Sequence, residues 1–235
     1  GKVLLRMRPE AVAALGSGLP RGAAVISATN GKTTTARLVA ACLRDAGWPA
    51  VSNPAGANLL TGVATALLDA RGRSPRPQVG LFEVDEAALP EVVRQLRPRV
   101  VVLMNLFRDQ LDRYGELELL AERWGAMAAG LPAATTVVAT ADDPALAPLA
   151  AGRPGSLTFG VDDPAVALPA LPHAADSTRC RACGQALRYE AVTLGHLGRW
   201  ACPACGARRP EPDVRATRVS LDGVRGVGVR IATPA

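Results

Sequence analysis

The chain has 235 residues, a formal net charge of +6, 49% hydrophobic and 20% charged residues, enough for one large globular domain or two smaller ones. Aromatic residues make up only 3%, which argues against a surface of stacked nucleobases, and the modest basic excess suits anionic small molecules without demanding nucleic acid. No apolar run reaches about 18 residues and residues 1–10 lack the apolar core of a secretory signal, so a soluble, cytoplasmic protein without a transmembrane segment is expected.

Residues 9–16 read as a short helix opened by Pro9 and closed by Gly16-Ser17-Gly18-Leu19-Pro20. A strand follows at 23–27, then the loop Ala28-Thr29-Asn30-Gly31-Lys32-Thr33-Thr34-Thr35, then a helix from about 33 to 46 with Gly47 as its stop signal. Leu38, Val39, Cys42 and Leu43 share a face of that helix by three-and-four spacing, which predicts Cys42 in the core. Next come a strand at 49–52, a turn at 53–56, a helix at about 57–70 and a basic, Pro-bearing loop at 71–77. A buried strand at 79–84, a helix from Pro90, an apolar strand at 100–104, a polar loop at 105–115 and a helix at 116–129 follow. Residues 136–139 form another strand with 141–144 as its exit turn, and 156–160 read as the edge strand of the sheet.

Strands without apolar/polar alternation, each followed by a helix, predict an α/β fold: a doubly wound, mostly parallel sheet covered on both faces. Ligands on such sheets bind beyond the carboxyl ends of the strands. There the segments 28–35, 83–86 and 105–112, with Asp142 and Asp143, are expected to gather. Past residue 161 the texture turns to a Pro- and Ala-rich linker, then a cysteine module at 176–211. Segments 214–220 and 224–231 alternate around Leu221-Asp222-Gly223, a hairpin expected to continue the sheet antiparallel.

The loop at 28–35 has the requirements of a phosphate-binding loop. A strand ends in a tight turn, backbone N–H groups and a helix N-terminus converge, and Lys32 sits at that point. Thr33 supplies a hydroxyl for a magnesium ion, and Gly31 permits close backbone approach. The full G-x-x-x-x-G-K-[ST] pattern wants Gly where Ile26 stands, so the match is partial and depends on its strand-to-helix context. Glu83, Asp85 and Glu86 end the neighbouring strand. A carboxylate there can hold magnesium, and Glu83, between buried Phe82 and Val84, suits that role best, whereas Asp85 and Glu86 serve equally well as caps of the following helix. The 53–58 turn is either a second anion site or a structural turn.

Cys180-x-x-Cys183 and Cys202-x-x-Cys205, each followed by Gly (Gly184, Gly206), are the knuckles of a zinc ribbon. Four thiolates leave no open position on the ion, so the site reads as structural, and His196 between the pairs is a spare polar group. Arg179, Arg181, Arg188, Arg199, Arg208 and Arg209 either form a nucleic-acid face or merely solvate the insert. The second reading is favoured, with Tyr189 and Trp200 filling the small core.

Ala-Thr-Asn-Gly-Lys-Thr-Thr at 28–34 resembles the loop of the Mur ligase superfamily, and 105–114 resembles that family's Asn-x-x-x-Asp-His-Leu-Asp segment. With Glu-Val-Asp-Glu-Ala at 83–87 and the inserted ribbon, the resemblance narrows to the ligase-like subunits of lipid II isoglutaminyl synthases. It implies a Mur ligase central, ATP-binding domain at 1–175 and 212–235, a zinc ribbon at 176–211, and a C-terminal ligase domain absent from this chain. It further implies that Thr29, Asn30, Gly31, Lys32, Thr33 and Thr34 bind ATP, that Thr33 and Glu83 hold Mg2+, and that Lys32 and Glu83 are the catalytic pair. The implied reaction is amidation of the D-glutamate α-carboxylate of lipid II through an acyl phosphate, at the inner face of the cell membrane. Its ammonia would come from a GatD-like glutaminase in a heterodimer. Alternatives are an amino-acid-adding ligase of the muramyl-peptide or folylpolyglutamate kind, or a zinc-ribbon nucleic-acid-binding protein. The sequence departs from the superfamily at Ala28 (usually Gly), Gln110 (usually His), Gly125 (near a carbamylated Lys in many members) and Thr140 (often an adenine-contacting Asn). A chain of this extent, beginning at Gly1 and ending abruptly at Ala235, is expected to bind nucleotide weakly and not to turn over alone.

Overall fold

A computed structural model describes residues 1–72, 77–108, 116–172 and 175–234. The chain divides into two compact units, one of residues 1–104 with 109–136, the other of residues 105–108 with 137–235.

The first unit is built on four parallel strands in the order β4-β1-β3-β2: β1 (Ala23–Ser27), β2 (Ala50–Val51), β3 (Val79–Glu83) and β4 (Val100–Leu103). Val25 lies beside Phe82 on one side and Val101 on the other. All three side chains are fully buried, so these runs are apolar throughout instead of alternating. The helices are α1 (Lys2–Met7), α2 (Ala11–Gly16), α3 (Lys32–Asp45), α4 (Leu60–Ala70), α5 (Leu89–Leu96) and α6 (Glu116–Ala129). Helix α5 ends because Pro98 disfavours helical backbone before it, and Arg97 turns left-handed at φ 47° while its N–H still bonds Val93 O.

Helix α3 corrects one expectation. Cys42 is exposed and Leu38 is 64% exposed. The helix meets the sheet through Thr33, Ala36 and Ala40, which line a cavity with Leu81 of β3. Those positions repeat at i, i+3 and i+7, and Leu38 and Cys42 fall on the far side. Small residues, not the largest apolar ones, face the sheet.

The second unit holds β5 (Thr136–Thr140), the short helix α7 (Ala147–Ala150), β6 (Leu157–Val161), a separate hairpin of β7 (Arg188–Leu194) and β8 (Leu197–Ala201), then β9 (Val214–Leu221) and β10 (Val227–Ala232). The order is β5-β6-β9-β10. The strand expected at the edge, β6, is therefore interior. The expected antiparallel continuation is half right: β10 runs antiparallel to β9, but β9 joins β6 in parallel. The reason is the insert. Residues 162–213 separate β6 from β9, ample for a crossover, whereas antiparallel neighbours usually follow a tight turn. Among the described residues no helix is long and apolar enough to cross a membrane.

Candidate functional site

In the first unit, β1 ends in Ser27, whose buried hydroxyl donates to Val84 O at 2.8 Å, while Met104 N–H bonds Ser27 O. The chain then turns through Ala28 to Gly31, which stands at φ +87° as the N-cap of α3. That left-handed conformation favours glycine. A Cβ there would also approach Met104 Cε to 3.3 Å. Lys32, at the first turn of α3, folds back over the loop. Its ammonium donates to Ala28 O and lies 3.0 Å from Glu86 Oε2.

Glu83 ends β3 and is 5% exposed. Its backbone is held by an amide acting as a surrogate strand: Asn53 Oδ1 accepts from Glu83 N at 3.1 Å and Asn53 Nδ2 donates to Glu83 O at 2.9 Å. Asn53 Nδ2 also donates to Ala57 O. The 53–58 turn is thus structural, its amide spent on positioning Glu83. One carboxylate oxygen, Glu83 Oε2, is buried with no hydrogen-bond partner among the described residues. Glu83 and Thr33 line the same cavity of about 120 Å3. An orphaned buried carboxylate oxygen beside a hydroxyl is the donor set a hard cation requires, so these residues fit magnesium. Asp85 accepts from Ala87 N–H at 3.0 Å, a local cap ahead of α5. Glu86 pairs with Lys32, and its backbone O accepts from Trp124 Nε1, a fully buried ring. The sequence pattern gave no sign of this pair, because Lys32 and Glu86 meet only once β1 and β3 are neighbours.

Thr29 is half-buried, Asn30 and Thr34 are exposed at the loop's mouth. Of the polar segment after β4, residues 109–115, including Gln110, lie outside the described residues. Gly125 lies within α6, and a Cβ there would meet nothing within 4 Å among the described residues. Thr140 is buried, its hydroxyl accepting from Asp142 N–H.

In the second unit the four cysteine sulfurs lie within 4.8 Å of one another. Cys180 and Cys205 Sγ are 3.6 Å apart, Cys183 and Cys202 Sγ 3.5 Å. Zn–S bonds of about 2.3 Å in a tetrahedron put sulfurs about 3.8 Å apart, so the cluster is the right size. The two knuckles repeat each other: Gly184 N–H bonds Cys180 O and Gly206 N–H bonds Cys202 O, with both glycines at positive φ. N–H groups of Cys205 and Ala204 aim at the Cys202 sulfur and draw its pKa down to about 6. Gln185 N–H acts the same way on Cys183, but the neighbouring sulfurs override it and push that thiol up to about 12. Sulfurs this close cannot all ionise without a cation among them.

The ribbon is clamped to the exit turn of β5. Trp200 Nε1 donates to Ala141 O at 3.0 Å and Gly198 N–H to Asp142 O. Arg209 Nε meets Asp142 Oδ1 at 2.7 Å and its Nη1 meets Asp162 Oδ1 at 2.9 Å, with the Arg209 and Asp142 side chains almost fully buried. Arg209 therefore does not solvate the insert as expected. It is the insert's anchor. His196, expected to be spare, is fully buried with Nε2 3.3 Å from Asp143 Oδ2, and neither ring nitrogen completes a hydrogen bond among the described residues. Its ring leans on Phe107, centroids 4.9 Å apart. Asp143 also accepts from Leu106 N–H and Ala145 N–H. Asp142 and Asp143, expected to gather at the strand ends with the loop, make these scaffold contacts.

Residues 26–199 match the Mur ligase middle domain. The chain is 32% identical over 195 residues to the Streptococcus pneumoniae lipid II isoglutaminyl synthase (glutamine-hydrolyzing) subunit MurT, covering 83% of this chain and 43% of that protein. A crystal structure of MurF from Acinetobacter baumannii superposes with a TM-score of 0.61 at 14% identity, covering 96% of this chain and 38% of that one. MurF ligase from Thermotoga maritima in complex with ADP gives 0.51 at 19% identity, covering 65% and 36%. The chain thus spans less than half the length of these relatives. The strand-loop-helix carrying Lys32, the parallel sheet that brings Glu83 beside it and the match over most of the chain together place this protein in the Mur ligase family, as a chain that carries the family's middle domain.

Proposed function

We propose that this chain is the nucleotide-binding part of a MurT-type subunit of an ATP-dependent carbon–nitrogen ligase in peptidoglycan synthesis. The observation that carries the reading is the pairing of a lysine-bearing loop, Lys32 folded onto Ala28 O, with a buried carboxylate oxygen, Glu83 Oε2, that has no hydrogen-bond partner among the described residues. In this reading residues 1–175 and 212–235 are the central domain, 176–211 the ribbon, and a C-terminal ligase domain lies outside this chain.

Each residue then has a task. The backbone of 29–34 and the N-terminus of α3 receive the phosphates of ATP. Lys32 offsets charge on the transferring phosphoryl group, the step that makes a carboxylate a competent electrophile by giving it a phosphate leaving group. Thr33 and Glu83 would hold Mg2+, which neutralises the phosphates, and the four cysteines would hold Zn2+, which fixes the ribbon. The acceptor is the D-glutamate α-carboxylate of lipid II, converted to D-isoglutamine by ammonia from a GatD-like glutaminase, at the inner face of the cell membrane. The names of the relatives support the synthase and the two-component arrangement; the residues of this chain support the phosphate chemistry.

The test is amidation of lipid II by the full-length protein, followed by mass spectrometry, with and without its glutaminase partner. Glutamine-dependent amide formation lost in Lys32→Ala supports the reading. Addition of an amino acid in place of ammonia would move the protein to the amino-acid-adding branch.

A further inference from the structure

We infer that Glu86 is a built-in competitor of the nucleotide: a counter-ion that pairs with Lys32 and must release it when phosphate arrives. The inference rests on the nucleotide-binding reading above and adds a regulator of that same site. Lys32 Nζ lies 3.0 Å from Glu86 Oε2, with only 15% and 16% of the two side chains exposed. The ammonium is therefore neutralised in a partly buried setting by a carboxylate from another strand end. The backbone of Glu86 is anchored beside the loop, because Trp124 Nε1, on a fully buried ring, donates to its O at 2.9 Å. Glu86 is also distinct from Glu83. Glu83 carries an unpartnered oxygen and lines the cavity with Thr33, whereas Glu86 has already spent its charge on the lysine.

A polyphosphate entering the loop meets Glu86 in two ways. It must take Lys32 from an existing partner, and it must accept a carboxylate held near its own negative charge. Both effects oppose binding, and both vanish when the carboxylate becomes a neutral amide of the same shape. The penalty falls hardest on nucleotide without magnesium, because the ion would otherwise screen the phosphates from Glu86. Glu86 thus favours the magnesium complex over free nucleotide and keeps the loop closed to lesser anions.

The test is isothermal titration calorimetry of the full-length protein and its E86Q variant with ADP, once with excess Mg2+ and once with EDTA. A contact and repulsion of this size amount to about threefold to tenfold in affinity. E86Q should bind magnesium-free ADP tighter by about that factor and MgADP by clearly less, while its unfolding midpoint stays within a degree or two of wild type. Equal or weaker ADP binding by E86Q without magnesium overturns the inference, since Glu86 would then be neutral or would serve to present Lys32. If wild type binds ADP and E86Q is unchanged, only this inference fails. If neither protein binds ADP under either condition, the nucleotide reading itself fails and takes the inference with it.

Discussion

Replacing Arg209 by leucine isolates what holds the ribbon to its unit. Arg209 and Asp142 are 4% and 5% exposed with 2.7 Å between Nε and Oδ1, and the guanidinium also serves Asp162 Oδ1 and Val161 O. Removing one partner of a buried pair strands the other charge, at a cost of about 3–5 kcal/mol. For a chain of this size that is a fall of roughly 6–20 °C in the melting midpoint. Because the chain has two units, local opening is the better measure: hydrogen exchange at the amides of Val161 and Gly198, which bond Asp142 Oδ2 and Asp142 O, should speed up by orders of magnitude. Burial pushes the Asp142 carboxyl above the usual carboxylate range, against the pull of Arg209 and the Val161 N–H. A group whose folded pKa is raised gives up stability as pH rises through that pKa, so the R209L deficit should grow with pH and shrink as pH falls. Asn at 142 can still accept from Val161 N–H without charge, so R209L should cost less in a D142N background. A loss below about 1 kcal/mol, or one that is the same with Asp or Asn at 142, would refute a buried ionic anchor.

Purified protein should carry one zinc per chain by elemental analysis, and stripping it, or substituting C180S with C202S, should loosen the ribbon and red-shift the emission of Trp200, which is 5% exposed; metal-free protein with unchanged emission contradicts this. Gly195 stands at φ +57° with Phe107 Cε1 only 2.6 Å from where a Cβ would sit, so Gly195→Ala should destabilise the second unit by about 1–3 kcal/mol in a denaturant titration. The N–H groups of Val219 and Ala165 hold the Asp163 carboxyl below its ordinary value. That contribution is present above the unfolded-state value of about 3.9 and is lost as pH falls through the lower folded value. Asp163→Asn should therefore flatten the acid limb of the stability profile and leave its neutral region's slope unchanged.

The parts legible in the sequence were those encoded within a few residues. The strand, loop and helix around Lys32 are contiguous, so their spacing alone announces the phosphate loop, and each Cys-x-x-Cys-Gly is a complete knuckle before any tertiary contact forms. The illegible parts depend on which strand lies next to which. Asn53 could not be told from an anion-binding turn until β2 lay beside β3 and gave its amide the backbone of Glu83. Arg209 looked like one of six solvating arginines because its partners are 67 and 47 residues away. The facing of α3 is not legible, because three-and-four spacing marks an apolar stripe but does not say which stripe the sheet accepts. Here Ala36 and Ala40 face the cavity they share with Leu81 of β3, and the larger Leu38 is left outside.

The most direct measurement of the central claim is a crystal structure of this chain soaked with Mg2+ and a non-hydrolysable ATP analogue. The account predicts the terminal phosphate against Lys32 Nζ, the ammonium parted from Glu86, and the metal bound by Thr33 Oγ1 and Glu83. An analogue lodged elsewhere, with Lys32 still on Glu86 and no metal beside Glu83, would contradict it.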